Sequence, residues 1–333
     1  MRMNKNKKSR LLACLLISVL TLGMFSGCGA SSSGSSSSSS GKILFVLPDV
    51  EDTFRASLAD AIVSSAKELG VDLDYQESGS SVDNQKAIIE KAASDGYAGC
   101  ICRLTDVNTA LQMEVAAGDM PIVFVNNEPT EDLLKDSKYV YVGSPEKKAG
   151  EFEAEYVLNK LGKPSSMKLI MIKGEKGHSA TEGRTKAVLN YLRDNGVDVN
   201  ITFSDYANWS TETAYEYMGV AAKVGAKYDA VICNNDSMAL GVVQYMQDNG
   251  ISTKDIPVCG VDATEDGCAS IAAGGIQFTV LQSATGQAQK AVEAIQAMGK
   301  GGSISDIEGA SEDGKYIWVD FEKVDSSNVS DYR

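Results

Sequence analysis

Short apolar runs alternate with amphipathic stretches along the chain from Lys42 onward. The first run, residues 42–48, predicts a buried strand, and Phe54, Leu58 and Ile62 then recur at the three- and four-residue spacing of a helix. The same rhythm continues through two successive series that meet after residue 143. The remaining strands are predicted at 71–76, 99–103, 121–125, 139–143, 168–173, 198–204, 229–233, 256–261, 277–281 and 315–321, with helices between them.

Strict alternation of strands and helices predicts parallel sheets covered by helices on both faces. Because there are two series, the expected fold class is α/β, with two Rossmann-like, doubly wound parallel-sheet domains. Each series is long enough to form a domain of ordinary size.

The first 40 residues do not follow this rhythm. Residues 1–10 are basic, residues 11–25 are apolar, and Ser26, Gly27 and Cys28 follow, which is the order of a secretory signal over 1–27. A cysteine directly after Ser-Gly resembles a bacterial lipobox, so we expect cleavage before Cys28 and a diacylglycerol on its sulfur. The serine-rich segment 28–41 is then a flexible tether to the outer face of the cell membrane. The alternative is a plain secretory signal with an incidental cysteine.

Charge and residue counts exclude several functions. The chain has 31 Lys and Arg against 45 Asp and Glu, and removing the five bases of the signal leaves 26 against 45, a charge of −19. A surface this acidic repels phosphate backbones, so we expect no nucleic-acid partner. A single histidine excludes zinc sites built from several histidines. The five cysteines after Cys28 are odd in number and sparse, which does not indicate a disulfide framework.

Polar and aromatic side chains follow the predicted strands at their carboxyl ends, where open parallel sheets bind ligands. They include no P-loop, no dinucleotide-binding glycine pattern and no nucleophile elbow, so we expect neither a cofactor nor an enzyme activity. Planar carboxylates, amides and guanidiniums suit vicinal hydroxyls, and aromatic rings suit the apolar face of a pyranose. The side chains at these strand ends are Glu51, Asp52, Thr53, Phe54, Arg103, Asp106, Asn126, Asn127, Glu128, Glu175, His178, Arg184, Asn208, Trp209, Asn234, Asn235, Asp236, Asp262 and Gln282.

Several of these residues stand in longer motifs. Glu-Asp-Thr-Phe occupies 51–54, Phe-Val-Asn-Asn-Glu-Pro occupies 124–129, and Ala-Asn-Trp occupies 207–209. Further matches lie at 173–185, 234–241 and 260–263. In order and spacing the chain, from about Lys42 to its end, resembles the type I periplasmic substrate-binding proteins of ABC importers, above all the galactose/glucose-binding proteins.

The resemblance implies a set of sugar contacts at matching positions. Phe54 and Trp209 would stack on the two faces of the ring, and the polar contacts would be Asp52, Asn126, His178, Arg184, Asn235 and Asp262. This chain has Ala180 and Gln282 where the family has aspartate and asparagine, and Arg103 replaces a neutral residue. The segment 162–166 lacks the carboxylates of the family's calcium loop, so we expect no metal.

The family topology also implies three crossings between the domains, joined as a three-segment hinge. We place them near 143–146, 281–284 and 309–315. The N-terminal domain is then 42–143 plus 284–310, and the C-terminal domain is 146–281 plus 315–333. The implied function is capture of a monosaccharide or small glycoside by a monomer, hinge closure, and delivery to an ABC permease.

Some alternatives stay open at this stage. The closed form could instead present its sugar to a chemoreceptor or sensor kinase, and a glycosidase would need Asp52 and Asp262 as opposed carboxylates. Asp52 could serve as a helix cap and Arg103 could pair with Asp106, while Asp236 is expected to cap the helix that follows it. Because Ala180 removes an acceptor that the family directs at the anomeric hydroxyl, the cleft could admit a substituent at that carbon.

Overall fold

The computed structural model describes residues 41–333. The predicted signal, the lipidation site at Cys28 and nearly all of the tether therefore lie outside the described residues. Two six-stranded sheets form the centres of two lobes. In the first series the strands and helices are β1 Ile43–Leu47, α1 Thr53–Glu68, β2 Leu73–Glu77, α2 Val82–Ser94, β3 Gly99–Cys102, α3 Ala110–Ala117, β4 Ile122–Val125 and β5 Tyr139–Gly143.

The second series begins directly after β5. It comprises α4 Glu146–Lys160, β6 Ser166–Lys173, α5 Ser179–Asp194, β7 Asp198–Tyr206, α6 Thr211–Lys223, β8 Ala230–Cys233, α7 Asp236–Asp248, β9 Val258–Cys259, α8 Glu265–Ala273 and β10 Phe278–Leu281. The chain ends with α9 Ala284–Met298, β11 Tyr316–Trp318 and β12 Glu322–Asp325. Short 3-10 turns lie at Val107–Thr109, Glu131–Leu133 and Val329–Tyr332.

Both sheets have the doubly wound strand order that the alternation predicts. The first sheet runs β11-β5-β4-β3-β1-β2 and is parallel throughout. The second runs β12-β10-β9-β8-β6-β7, and its only antiparallel pair is β12 with β10. The predicted α/β fold with two parallel-sheet domains is confirmed.

Each sheet is buried on both faces, which explains why its strands read as continuous apolar runs. All five residues of β1 are buried. Phe45 packs on one side of the first sheet with α1 and α9, while Leu44 packs on the other side with α2 and α3. The second sheet lies in the same way between two apolar clusters. Because the central strands are parallel, their carboxyl ends lie at one edge of each sheet.

The last crossing between the lobes differs from the prediction. The segment 315–321 was expected to be one strand of the C-terminal domain, but Tyr316–Trp318 pairs with β5 of the first sheet. Ile317 is fully buried in the first lobe's core, whereas Phe321 packs in the core of the second. The assignment of residues 315–318 to the second domain is therefore wrong. The chain crosses at 319–321 rather than 309–315, because the apolar residues on either side fill different cores.

Candidate ligand-binding site

A cleft of about 290 Å³ lies where the carboxyl ends of the two sheets face each other. The residues that the family resemblance places in the site all contribute to its lining, from both lobes. The lining residues are Asp52, Phe54, Arg55, Arg103, Asn126, His178, Ala180, Arg184, Trp209, Asn235, Asp262 and Gln282.

Two aromatic side chains border the cleft from opposite lobes. Phe54, in the first turn of α1, is also a member of the first lobe's core, so it is both a packing residue and a lining residue. Trp209 has a left-handed backbone, with φ of 66°. Its ring packs directly over Gly174, where a Cβ would lie only 2.0 Å from the ring. The absence of a side chain at position 174 therefore sets the position of the indole.

Asp52 both caps a helix and lines the cleft. Its Oδ1 accepts a hydrogen bond from the Arg55 N–H at 2.9 Å, which is a regular N-cap of α1. The other carboxylate oxygen takes no part in the cap. The two interpretations of Asp52 considered from the sequence are compatible in this geometry.

Arg103 does not pair with Asp106, the partner considered for it from the sequence. It directly follows β3, is 2% exposed, and lines the cleft. Its Nε donates to Asn126 Oδ1 at 3.2 Å and its Nη1 donates to the Leu104 carbonyl at 3.0 Å. Its Nη2 lies 3.7 Å from Glu175 Oε2 in the second lobe. Asp106 instead caps the short turn at Val107–Thr109.

His178 is the N-cap residue of α5, and its Nδ1 accepts a hydrogen bond from the Ala180 N–H at 3.1 Å. A ring nitrogen that accepts carries no proton, so a neutral His178 presents Nε2–H as a donor. Burial lowers the pKa of His178 well below its ordinary value, and the positive charges of Arg103, Arg184 and Arg55 lower it further. The imidazole is therefore neutral at physiological pH. Its ring contacts Trp209 edge to face, with centroids 5.2 Å apart.

Arg184 is held rigidly by three partners in the second lobe. Its Nε donates to Glu146 Oε2 at 2.6 Å, its Nη1 to the Asn234 carbonyl at 2.6 Å, and its Nη2 to Gln282 Oε1 at 2.7 Å. Glu146, at the start of α4, supplies the buried countercharge. Sequence reasoning missed Glu146, because an acidic residue in the first turn of a helix is commonplace.

Asp262 follows β9 and lines the cleft with an unusual backbone φ of 113°. Its Oδ1 lies 3.9 Å from Arg184 Nη1, too long for a hydrogen bond. Burial raises the pKa of Asp262 well above its ordinary value, and the charge of Arg184 opposes that rise. Strained backbone and a costly buried carboxyl group together are typical of a functional position.

The cap of α7 is Asn235 rather than Asp236, contrary to the prediction. Asn235 Oδ1 accepts from the Met238 N–H at 3.0 Å. Asp236 instead accepts from the Thr264 N–H at 2.8 Å and from Thr279 Oγ1 at 2.6 Å. The buried Asp236 carboxyl group thus connects α7 to the loop before α8 and to β10 by hydrogen bonds.

The two lobes touch each other around the cleft. The Glu128 N–H donates to Ser179 Oγ at 2.9 Å, and the Ser179 N–H donates to Asn127 Oδ1 at 3.3 Å. The contact between Arg103 and Glu175 also crosses from one lobe to the other. These contacts join the two lobes beside a site to which both contribute.

Residues 41–333 contain no group of three or more His, Cys, Asp and Glu side chains placed to hold a metal ion. In the same part of the chain no helix is long and apolar enough to cross a membrane. The lining side chains are hydrogen-bonding and aromatic groups. What this arrangement offers chemically is the binding of a small polar ring.

Comparison with known proteins agrees with this geometry. Residues 43–303 match the model of the periplasmic binding protein domain. A protein of Rhizobium meliloti that carries the name rhizopine-binding protein is 29% identical over 287 residues, covering 85% of this chain and 89% of that protein. The D-galactose/methyl-galactoside binding periplasmic protein MglB of Haemophilus influenzae is 24% identical, covering 85% and 88%.

Solved structures show the same fold. An ABC transporter solute binding protein from Bacillus halodurans with bound myo-inositol superposes with a TM-score of 0.77 at 23% identity, covering 89% of this chain and 98% of that one. The resemblance to type I binding proteins of sugar ABC importers that the motifs predicted is confirmed. The chain belongs to the periplasmic binding protein family.

Proposed function

We propose that this protein captures a hexose or a small hexoside in the cleft between its lobes and delivers it unchanged to an ABC permease. The observation that carries the proposal is the convergence of Phe54, Trp209, Asp52 and Asp262, from both lobes, on one closed cleft. Two aromatic walls with hydrogen-bonding groups between them suit a pyranose ring.

The relatives narrow the ligand only to a polyhydroxylated small molecule. Their names mention rhizopine, galactose and methyl-galactoside, ribose and allose, and the Bacillus halodurans structure holds myo-inositol. The relatives named here are binding proteins, which supports a role without chemistry on the sugar. Ala180 lines the cleft, and its methyl group is smaller than the carboxylate side chain that the family resemblance places there.

Titration calorimetry of the purified protein against galactose, glucose, their methyl glycosides, ribose and myo-inositol tests this function. We expect at least one of these compounds to bind, because the cleft supplies both stacking and hydrogen-bonding groups. Asp262→Ala and Trp209→Ala should each weaken that binding strongly while leaving a cooperative thermal transition. Wild-type affinity in both variants would show that the ligand binds elsewhere.

We propose further that Cys28 carries a lipid that holds the protein at the outer face of the cell membrane. The order of basic, apolar and small residues before Cys28 supports this placement. Expression of the full chain and of Cys28→Ala, followed by fractionation, is the test. We expect the wild type in the membrane fraction and the variant released. Equal distribution of the two would contradict lipidation.

A further inference from the structure

The two lobes exchange a reciprocal pair of hydrogen bonds at the start of α5. Ser179 is the first residue of α5, in the second lobe, whereas Asn127 and Glu128 follow β4 in the first lobe. Ser179 Oγ accepts from the Glu128 N–H at 2.9 Å, and the Ser179 N–H donates to Asn127 Oδ1 at 3.3 Å. Each bond has one partner in each lobe, so both bonds must break when the lobes separate.

The residues of this pair stand next to the ligand site rather than in it. Within residues 41–333, the lining of the cleft includes Asn126 and His178 but not their chain neighbours Asn127 and Ser179. Asn126 has a left-handed backbone, with φ of 62°. At this turn one amide lines the cleft and the next amide bonds to the other lobe. Adjacent residues therefore serve two different contacts.

The first lobe orients the Asn127 amide by itself. Its Nδ2 donates to the Leu104 carbonyl at 3.1 Å, and both of these residues belong to the first lobe. Because that bond identifies which end of the amide is the nitrogen, Oδ1 is the end that faces α5. An acceptor that is already oriented loses little conformational freedom when the second lobe arrives.

On the other side of the contact lies a helix N-terminus. The first N–H groups of a helix have no partner within the helix. The His178 side chain accepts from the Ala180 N–H, while Asn127 of the first lobe accepts from the Ser179 N–H. The same helix carries Arg184, which lines the cleft together with His178. The first lobe therefore completes the cap of a helix that positions two site residues.

Two other contacts between the lobes have poorer geometry. Thr53 Oγ1 and Ser237 Oγ are 3.4 Å apart at an exposed position, well beyond the usual distance between two hydroxyl oxygens. Arg103 Nη2 lies 3.7 Å from Glu175 Oε2, and the Glu175 side chain is largely open to solvent. Water competes for such contacts, so we expect them to stabilise the joined lobes less than the pair at Ser179 does.

Resting on the proposed function, we infer that Asn127, Glu128 and Ser179 form an interlobe latch that holds the lobes together over a bound ligand and sets how long the ligand stays. They are positioning residues, since they act through the arrangement of the lobes. Because the latch does not line the cleft, it strengthens the binding of every ligand by the same factor. The preference between ligands belongs to the lining residues.

The latch has a kinetic consequence. A ligand enters the cleft before the two lobes meet, so the latch bonds form only after the encounter. Release requires the same bonds to break. Weakening the latch should therefore raise the dissociation rate constant and leave the association rate constant unchanged.

Three substitutions at one position test the latch in steps. Ser179→Thr keeps the hydroxyl group and the N–H, Ser179→Ala removes the hydroxyl group, and Ser179→Pro removes both. Proline is well tolerated at the first position of a helix. His178, with φ of −69° and ψ of 134°, already has the extended backbone that a following proline requires. Loss of α5 itself is therefore not expected in any of the three.

Calorimetry measures the affinity of each variant for every compound of the panel above that the wild type binds, and stopped-flow fluorescence of Trp209 measures the rate constants. Ser179→Ala should lower each affinity by the same factor, about three- to tenfold, with an equal rise in the dissociation rate constant. Ser179→Pro should lose more, and Ser179→Thr should keep the wild-type values. The matched control is Ser237→Ala, which removes the hydroxyl group of the long, exposed contact and should change affinity less than about twofold.

The outcomes separate the latch from the proposed function. Wild-type affinity in both Ser179→Ala and Ser179→Pro would overturn the inference and leave the proposed function intact. Losses that differ between compounds would also overturn it, because Ser179 would then act on the ligand directly. A slower association with unchanged dissociation would do the same. If the wild type binds no compound of the panel, the proposed function and the inference both fail.

Discussion

The packing of Trp209 on Gly174 makes one substitution especially informative. A Cβ at position 174 would lie 2.0, 2.2 and 2.3 Å from three carbon atoms of the indole. Carbon atoms in contact normally lie about 3.5–4.0 Å apart, so the ring must retreat by roughly 1.5 Å in Gly174→Ala. Since Trp209 lines the cleft, any displacement of its ring changes the surface that a ligand contacts.

Overpacking of this kind costs about 1–3 kcal/mol, and here we expect the cost to fall mainly on binding. Gly174→Ala should therefore weaken ligand affinity about 10- to 100-fold, with a change in unfolding free energy below about 1 kcal/mol. Calorimetry measures the ligand affinity, and urea denaturation monitored by fluorescence measures the unfolding free energy of the same preparation.

Two comparisons make the reasoning refutable. Gly219→Ala adds the same methyl group in α6, where its nearest neighbour, Tyr245 Cε2, is 3.7 Å away, and it should leave affinity unchanged. In the double variant Gly174→Ala with Trp209→Ala, the loss should equal that of Trp209→Ala alone, because position 174 acts through the indole. Wild-type affinity in Gly174→Ala, or additive losses in the double variant, would refute the account.

The other predictions concern buried charge. Arg184→Ala should lower the free energy of unfolding by about 3–5 kcal/mol in urea titrations, since it leaves Glu146 buried without its countercharge, and Arg184→Lys should recover part of that loss. Burial raises the pKa of Asp236 to about 7, so the folded protein retains a proton that the unfolded chain releases at lower pH. Stability should therefore fall as pH rises from about 4 to 7, by up to about 1.4 kcal/mol per pH unit from this group, and Asp236→Asn should flatten that part of the curve. A pH profile identical in wild type and Asp236→Asn would contradict this assignment.

The positions of the site residues could be predicted because parallel strands place their carboxyl ends at one edge. Asp262 and Asn126 each follow a buried strand, and that alone brings them to the cleft. The sequence could not show which of the neighbours Asn235 and Asp236 caps α7, since either residue type can cap a helix. The outcome depends on Thr264 and Thr279, which are distant in sequence and hold the Asp236 carboxyl group.

The same limit applies to Arg103 and to the final crossing between the lobes. An arginine after a strand can pair with any nearby acid, and the contact of Arg103 with Glu175 depends on how the two lobes are arranged. The apolar run at 315–321 reads as one strand, because sequence periodicity does not record which core each residue enters. The packing of Ile317 in the first core and Phe321 in the second assigns the two halves of this run to different lobes.

The division of the last two strands between the two sheets has a consequence for folding. β11 covers the edge of β5 in one lobe, and β12 covers the edge of β10 in the other, so both sheets receive their last strand from residues 316–325. Until residues 316–325 have been made and folded, each sheet keeps an open edge that could pair with other chains. Cleavage of the chain before residue 316 would therefore remove the last strand from both sheets at once.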